Sequence, residues 1–181
     1  YGKYLMYLPK VDKYKYTIQV KPLDKQTDTA DVVIDTINID SYSDDFKQAL
    51  KYYTQANDYR IRQYFGDENK NKQALEIFLQ AKQLFQSENQ DFYAGLSSYE
   101  AGKTLGSLSQ YSEEIVNLDN AIEFWQKSNS KNQHLRAKHF KALALWKTHN
   151  LDKAMEMFVQ LHKHYIESNN NQIISSITNN I

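Results

Sequence analysis

The stretch LGSLSQYSEEIVNLDNAIEFW, residues 105–125, decides the architecture. A helix end rich in small residues runs into a polar turn, and a second helix follows with Leu118, Ala121 and Trp125 on one face. Residues three and four apart meet on one side of a helix, and Glu114, Leu118 and Ala121 have that spacing. The spacing recurs at Ala74, Phe78 and Ala81 and again at Ala154, Phe158 and Leu161, each set 40 residues after the last. The preceding helices keep the same period, because Gly102 and Ala142 each stand 12 residues before their set. Projected once more, the next small residue falls at 182, one past Ile181. The unit therefore recurs three times, and the closing QIISSITNNI reads as the interrupted start of a fourth.

Upstream, the 3.6-residue period begins at Ser43, a good N-cap, with Asp44 and Asp45 facing the positive end of the helix dipole. A long first helix carrying Phe46, Leu50, Tyr53, Ile61 and Phe65 follows, with Gly66 as its stop. Residues 1–23 alternate instead with period two: Tyr4, Met6 and Leu8, then Tyr14, Tyr16, Ile18 and Val20 after a turn at Pro9. That pattern predicts a β-hairpin. Two strands alone are marginal in water, so the hairpin reads as the end of a truncated β element. Residues 24–42 form an acidic connector, in which VVIDTINI fits a third strand and a short helix equally.

Lys plus Arg equals Asp plus Glu at 22 each, which argues against a generic nucleic-acid binder with a basic face. With 14 tyrosines and 8 phenylalanines the chain has apolar surface worth burying, unlike a disordered one. It has no cysteine, which removes disulfides, thiolate nucleophiles and cysteine-ligated zinc from these residues without fixing a compartment. No apolar run approaches the ~20 residues that a membrane-spanning helix needs.

A helical hairpin with small residues at Gly102, Ala121, Ala142 and Ala81, and with Leu105, Tyr111, Leu118, Leu145, Leu151 and Phe158 between them, resembles the tetratricopeptide repeat. The usual period of that repeat is ~34 residues. Here the distance from residue 102 to 121 is kept at 19, so the surplus is expected between units, in a longer turn or in longer helix ends. Arg62 stands where the first unit needs a small residue, so the long first helix reads as a cap of the array. Repeats of this spacing look like those preceding CHAT domains, which are caspase-like peptidase domains. LPKVDKYKYTIQV is similar to the closing strands of the small β-sandwich found before such repeats, and YFGDENKNKQALEIFLQA to their first hairpin. The resemblance implies a mainly α protein: a tetratricopeptide-like α-solenoid spanning residues 43–181, preceded by the small β element. The peptidase domain and its Cys and His are not in this chain.

Other motifs have duller readings. AGKTLG, residues 101–106, contains Gly-Lys-Thr, but a phosphate loop needs a glycine where Ser97 stands and a strand before it. His134 and His139 are five apart and His162 and His164 two apart, so neither pair forms an i, i+4 metal motif. The acid pairs Asp44/Asp45, Asp67/Glu68 and Glu113/Glu114 fall at helix starts or turns, where dipole or solvent accounts for them. The aspartate-rich connector matches no calcium loop.

Between Lys131 and Leu151 there are five bases, Lys131, Arg136, Lys138, Lys141 and Lys147, and no acid. The resemblance implies that the first helix of each unit lines a concave, partner-binding face. By register that face carries Tyr59, Arg60 and Gln63, then Tyr99, Glu100 and Lys103, then Arg136, His139, Phe140, Leu143 and Trp146, with Lys147 beside them. Tyr, Arg and Trp dominate binding energy at interfaces. Packing of Trp146 on a following repeat is an equal alternative. The Lys and Asn pattern of carboxylate-clamp repeats is not matched.

The expected function is non-catalytic: a scaffold binding a protein or peptide, with no enzyme activity, no cofactor, no metal, no nucleic-acid partner and no membrane insertion. Two alternatives stand beside it. The chain is the regulatory arm of a CHAT-type protease whose catalytic domain lies elsewhere, or a self-association module that uses its truncated C-terminal end. Both ends read as cut from a longer protein, and the β-sandwich resemblance tilts localisation towards export or the periplasm.

Overall fold

The computed structural model describes residues 42–61 and 67–167. Among them the secondary structure is six helices: α1 (Asp44–Ile61), α2 (Glu68–Ser87), α3 (Asp91–Ser107), α4 (Tyr111–Lys127), α5 (Lys131–Lys147) and α6 (Leu151–Glu167). The expected β-hairpin and the acidic connector up to residue 41 lie outside the described residues, as do Arg62, Gln63, Phe65, Gly66 and residues 168–181. The helical unit beginning at Asp44 is described by itself.

Each helix packs on the next, and α3 also touches α5. Stacking of the first helices of successive hairpins in this way is what an α-solenoid does. The pairs run antiparallel. Phe46 and Tyr53 of α1 meet Phe85 and Phe78 of α2 edge-to-face at 5.6 and 5.7 Å. On α3, Gly95, Gly102 and Gly106 face Trp125, Leu118 and Glu114 of α4 in turn. A Cβ at Gly102 would lie 3.1 Å from Leu118 Cγ, so the missing side chain sets how closely these helices approach. A third hairpin closes around Ala142, Leu145, Ala154, Phe158, Leu161 and Tyr165.

The turns are local in origin and nearly identical. Asn89, Ser109, Asn129 and His149 all adopt positive φ, between 54° and 61°, and are 20 residues apart. In each turn the amide after that residue donates to the carbonyl five positions back: Gln90 to Phe85, Gln110 to Leu105, Ser130 to Trp125 and Asn150 to Leu145, at 2.8–2.9 Å. The positive-φ residue itself donates three back, as Asn89 does to Gln86 at 3.0 Å. This is the Schellman arrangement, which satisfies the last carbonyls of a helix. Here polar residues tolerant of the left-handed region take the place usually held by glycine. The carbonyl of the residue after it then accepts the first bond of the next helix, as Gln110 does from Glu114 at 2.9 Å. At the start of α2 a side chain caps: Asp67 Oδ1 accepts from the amides of Asn69 and Lys70 at 3.1 and 3.3 Å.

These turns decide between a longer turn and longer helix ends. The turn between hairpins, 128–130, is as short as those within them, 108–110 and 148–150. Helices α3 to α6 are all 17 residues long. The surplus over a ~34-residue repeat therefore lies in helix length and not in a longer connection.

Candidate partner-binding face

The positions that the repeat register assigns to one face come together on α1, α3 and α5. Arg60, in the last turn of α1, sends Nη2 to Oε2 of Glu100 on α3 at 2.8 Å. Lys103, one turn further along α3, reaches the same oxygen at 3.5 Å. These side chains are largely covered, at 26% exposed for Arg60, 20% for Lys103 and 12% for Glu100, so the pair of cations shares one half-buried carboxylate.

Tyr99 forms the floor. It is buried, tilted against Trp125 at 5.4 Å and edge-on to Phe140 of α5 at 5.5 Å. Two cations lie over its ring: Lys103 Nζ at 5.2 Å from the centroid and the Arg136 guanidinium carbon at 5.3 Å. Lys103 is also 5.6 Å from the Phe140 centroid. Cations are attracted to the negative faces of such rings. Burial pulls the Lys103 amine below the usual lysine range, with Arg60 and Arg136 pulling the same way and Glu100 opposing them. Burial likewise lifts the phenols of Tyr53, to about 12, and of Tyr99. Among the described residues, Arg60 Nε and His139 Nε2 are buried and find no hydrogen-bond partner. Burial also holds the His139 ring below the usual histidine range.

The remaining register positions are distributed differently. Tyr59 is half-buried, with its hydroxyl 3.5 Å from Gln55 Nε2 on the same helix. Gln63 lies outside the described residues. Leu143 packs on the α5–α6 core, and His139 lies edge-on to Phe158 at 6.1 Å. Trp146 is 53% exposed, and Lys147 lies 5.6 Å from its ring and 5.9 Å from that of Tyr111 on α4. The five bases of α5 do not make one patch. Lys141 is drawn off to Asp119 on α4 at 2.6 Å, and Lys138 borders a shallow hollow with Met157 and His164 of α6. The Gly-Lys-Thr stretch is helix interior, with Thr104 Oγ1 donating to the Glu100 carbonyl at 2.7 Å.

One residue overturns its sequence reading. Glu114 is 6% exposed, neither solvated nor explained by the helix dipole. Its carboxylate fills the space beside Gly106, where a Cβ would come within 2.6 Å of Oε2. Burial pushes its carboxyl up to about 7, partly offset by Lys147. The signal was a glutamate in a column where the neighbouring units have Ala74 and Ala154.

Among the described residues no helix is long and apolar enough to cross a membrane. Comparison with known proteins finds no matching protein-family model, no matching curated protein and no matching solved structure.

Proposed function

We propose that this protein is a tetratricopeptide-like scaffold that binds an extended segment of a protein partner along the face shared by α1, α3 and α5. The supporting observation is the cluster of Arg60, Glu100, Lys103, Tyr99, Arg136 and Phe140, which crosses three successive hairpins. Aromatic rings with Arg and Lys above them are the side chains that carry binding energy at interfaces. A face built from first helices is continuous, whereas a catalytic site needs convergence on one pocket. The test is selection from a random peptide library against the full chain, with amide hydrogen exchange to map the contact. Protection of α1, α3 and α5 supports the reading. Failure to select any peptide, or protection confined to α6, overturns it.

A second reading, self-association, draws on α6. Leu151, Met155, Val159 and Ile166 form a stripe exposed by 42–53%. The residues 40 positions earlier on α4 receive α5: Tyr111 beneath Lys147, Ile115 against the α5–α6 core, and Asp119 paired with Lys141. The outer face of α6 thus has the register of a helix-receiving surface, and in this reading a second copy supplies the helix.

A further inference from the structure

We infer that Lys103 and Arg136, gathered over the ring of Tyr99, form a subsite for the carboxylate of an acidic side chain in the bound segment. The inference rests on the peptide-binding reading above and specifies the partner's chemistry.

Charge count comes first. Arg60, Lys103 and Arg136 bring three positive charges to this face, and among the described residues Glu100 alone answers them. Both ion pairs use the same oxygen, Glu100 Oε2, with Arg60 much the closer at 2.8 Å against 3.5 Å for Lys103. Arg136 has no ion-pair partner among the described residues and is exposed. The tyrosine ring attracts both cations, but it carries only a quadrupole and cancels neither charge. Two like charges held over one ring repel each other, and burial strengthens that repulsion because the dielectric is lower than in water. The Arg136 charge is felt at the Lys103 amine, and an acidic group brought near both is attracted by each.

Geometry then selects the anion. A guanidinium presents a planar fork that matches a carboxylate in bidentate fashion, and a lysine ammonium adds a point charge beside it. The Arg136 guanidinium is exposed, while Lys103, 20% exposed, is pinned over Tyr99 and Phe140. Little side-chain freedom remains to be lost on binding, which favours affinity. Arg60 Nε is a buried donor without a hydrogen-bond partner among the described residues, so the face is polar beyond its own internal needs. The rest of the basic stretch is not part of this subsite, since Lys141 is paired with Asp119 and Lys147 lies by Trp146 and Tyr111.

The probes are synthetic peptides taken from the library selection, each with every Asp and Glu changed in turn to Asn or Gln. Binding to the full chain is measured for the parent protein, R136Q, K103M and the double variant, with thermal midpoints confirming that each is folded. One acid is expected to matter: its amide weakens binding roughly tenfold, and that penalty shrinks towards zero in R136Q and K103M, as coupled charge pairs require. Replacing that acid with phosphoserine separates carboxylate recognition from recognition of any anion, and tighter binding of the phosphopeptide overturns the carboxylate assignment. Peptides that bind the α1–α3–α5 face equally well as acid and amide overturn this inference and leave the binding reading standing. If no peptide binds, the binding reading itself falls. A penalty that persists unchanged in R136Q and K103M places the acid elsewhere and overturns the subsite.

Discussion

Replacing Glu114 by Gln should stabilise this protein at neutral and alkaline pH and leave it nearly unchanged near pH 4. Its carboxyl is buried at 6% exposure, and its pKa is raised from 4.5 to about 7 by that burial. An acid whose folded pKa is raised binds its proton more tightly when folded, so its contribution is intact below 4.5 and is lost as pH climbs through about 7. Each pKa unit is worth about 1.4 kcal/mol, so the charged form costs on the order of 3 kcal/mol at pH 8. Glutamine keeps the shape beside Gly106 and never ionises. The difference in unfolding free energy between Glu114→Gln and the parent, from urea titrations followed by circular dichroism, should therefore grow from near zero at about pH 4 to about 2–3 kcal/mol at about pH 8. In a chain of this length that corresponds to roughly 5–10 °C in Tm. A difference that stays flat across this range, or a glutamine variant less stable at pH 8, would refute the burial argument. Lys147→Ala should enlarge the difference, since Lys147 is the one charge opposing the shift.

Three further outcomes are expected. Ser109→Gly and His149→Gly each relieve a side chain from positive φ, at 60° and 61°, and should raise stability by about 1 kcal/mol as measured by denaturant midpoint. Gly95→Ala places a Cβ 2.6 Å from Trp125 Nε1 and displaces the indole from its 3.2 Å bond to the Phe92 carbonyl. It should cost about 1–3 kcal/mol and shift the emission of Trp125, whereas a repacking that accommodates the methyl would leave both unchanged. If α6 mediates self-association, Met155→Lys with Val159→Lys should abolish any concentration-dependent rise in mass seen by light scattering without lowering Tm, because both side chains are exposed.

Much of the helical architecture was legible before any coordinates. The spacing of Leu118 and Ala121 on one helix and Phe158 and Leu161 on another identifies buried faces, and all four are buried. Phe46, Leu50 and Tyr53 likewise form the inner face of α1. The 20-residue half-period went unread. Its markers are Asn89, Ser109, Asn129 and His149, which share no chemistry beyond tolerating a left-handed backbone. Of the residues that the repeat register assigns to one face, Arg60, Tyr99, Glu100, Lys103, Arg136 and Phe140 come together. Leu143 instead packs on the α5–α6 core.

The amino-acid sequence alone determined where helices start and stop and which side of each is apolar, because these depend on neighbours within a few residues. A turn bond such as Gln110 to Leu105 spans five positions, and a helix face repeats every three or four. Only the tertiary structure decided which charges are answered. Lys141 of the basic stretch is neutralised by Asp119, 22 positions away, while Arg136 is held over a ring on another helix. Glu114 looks like any first-turn acid until Gly106 opens a space that closes over its carboxylate. Charge energies depend on distance and on how much water remains between the groups, and packing sets both.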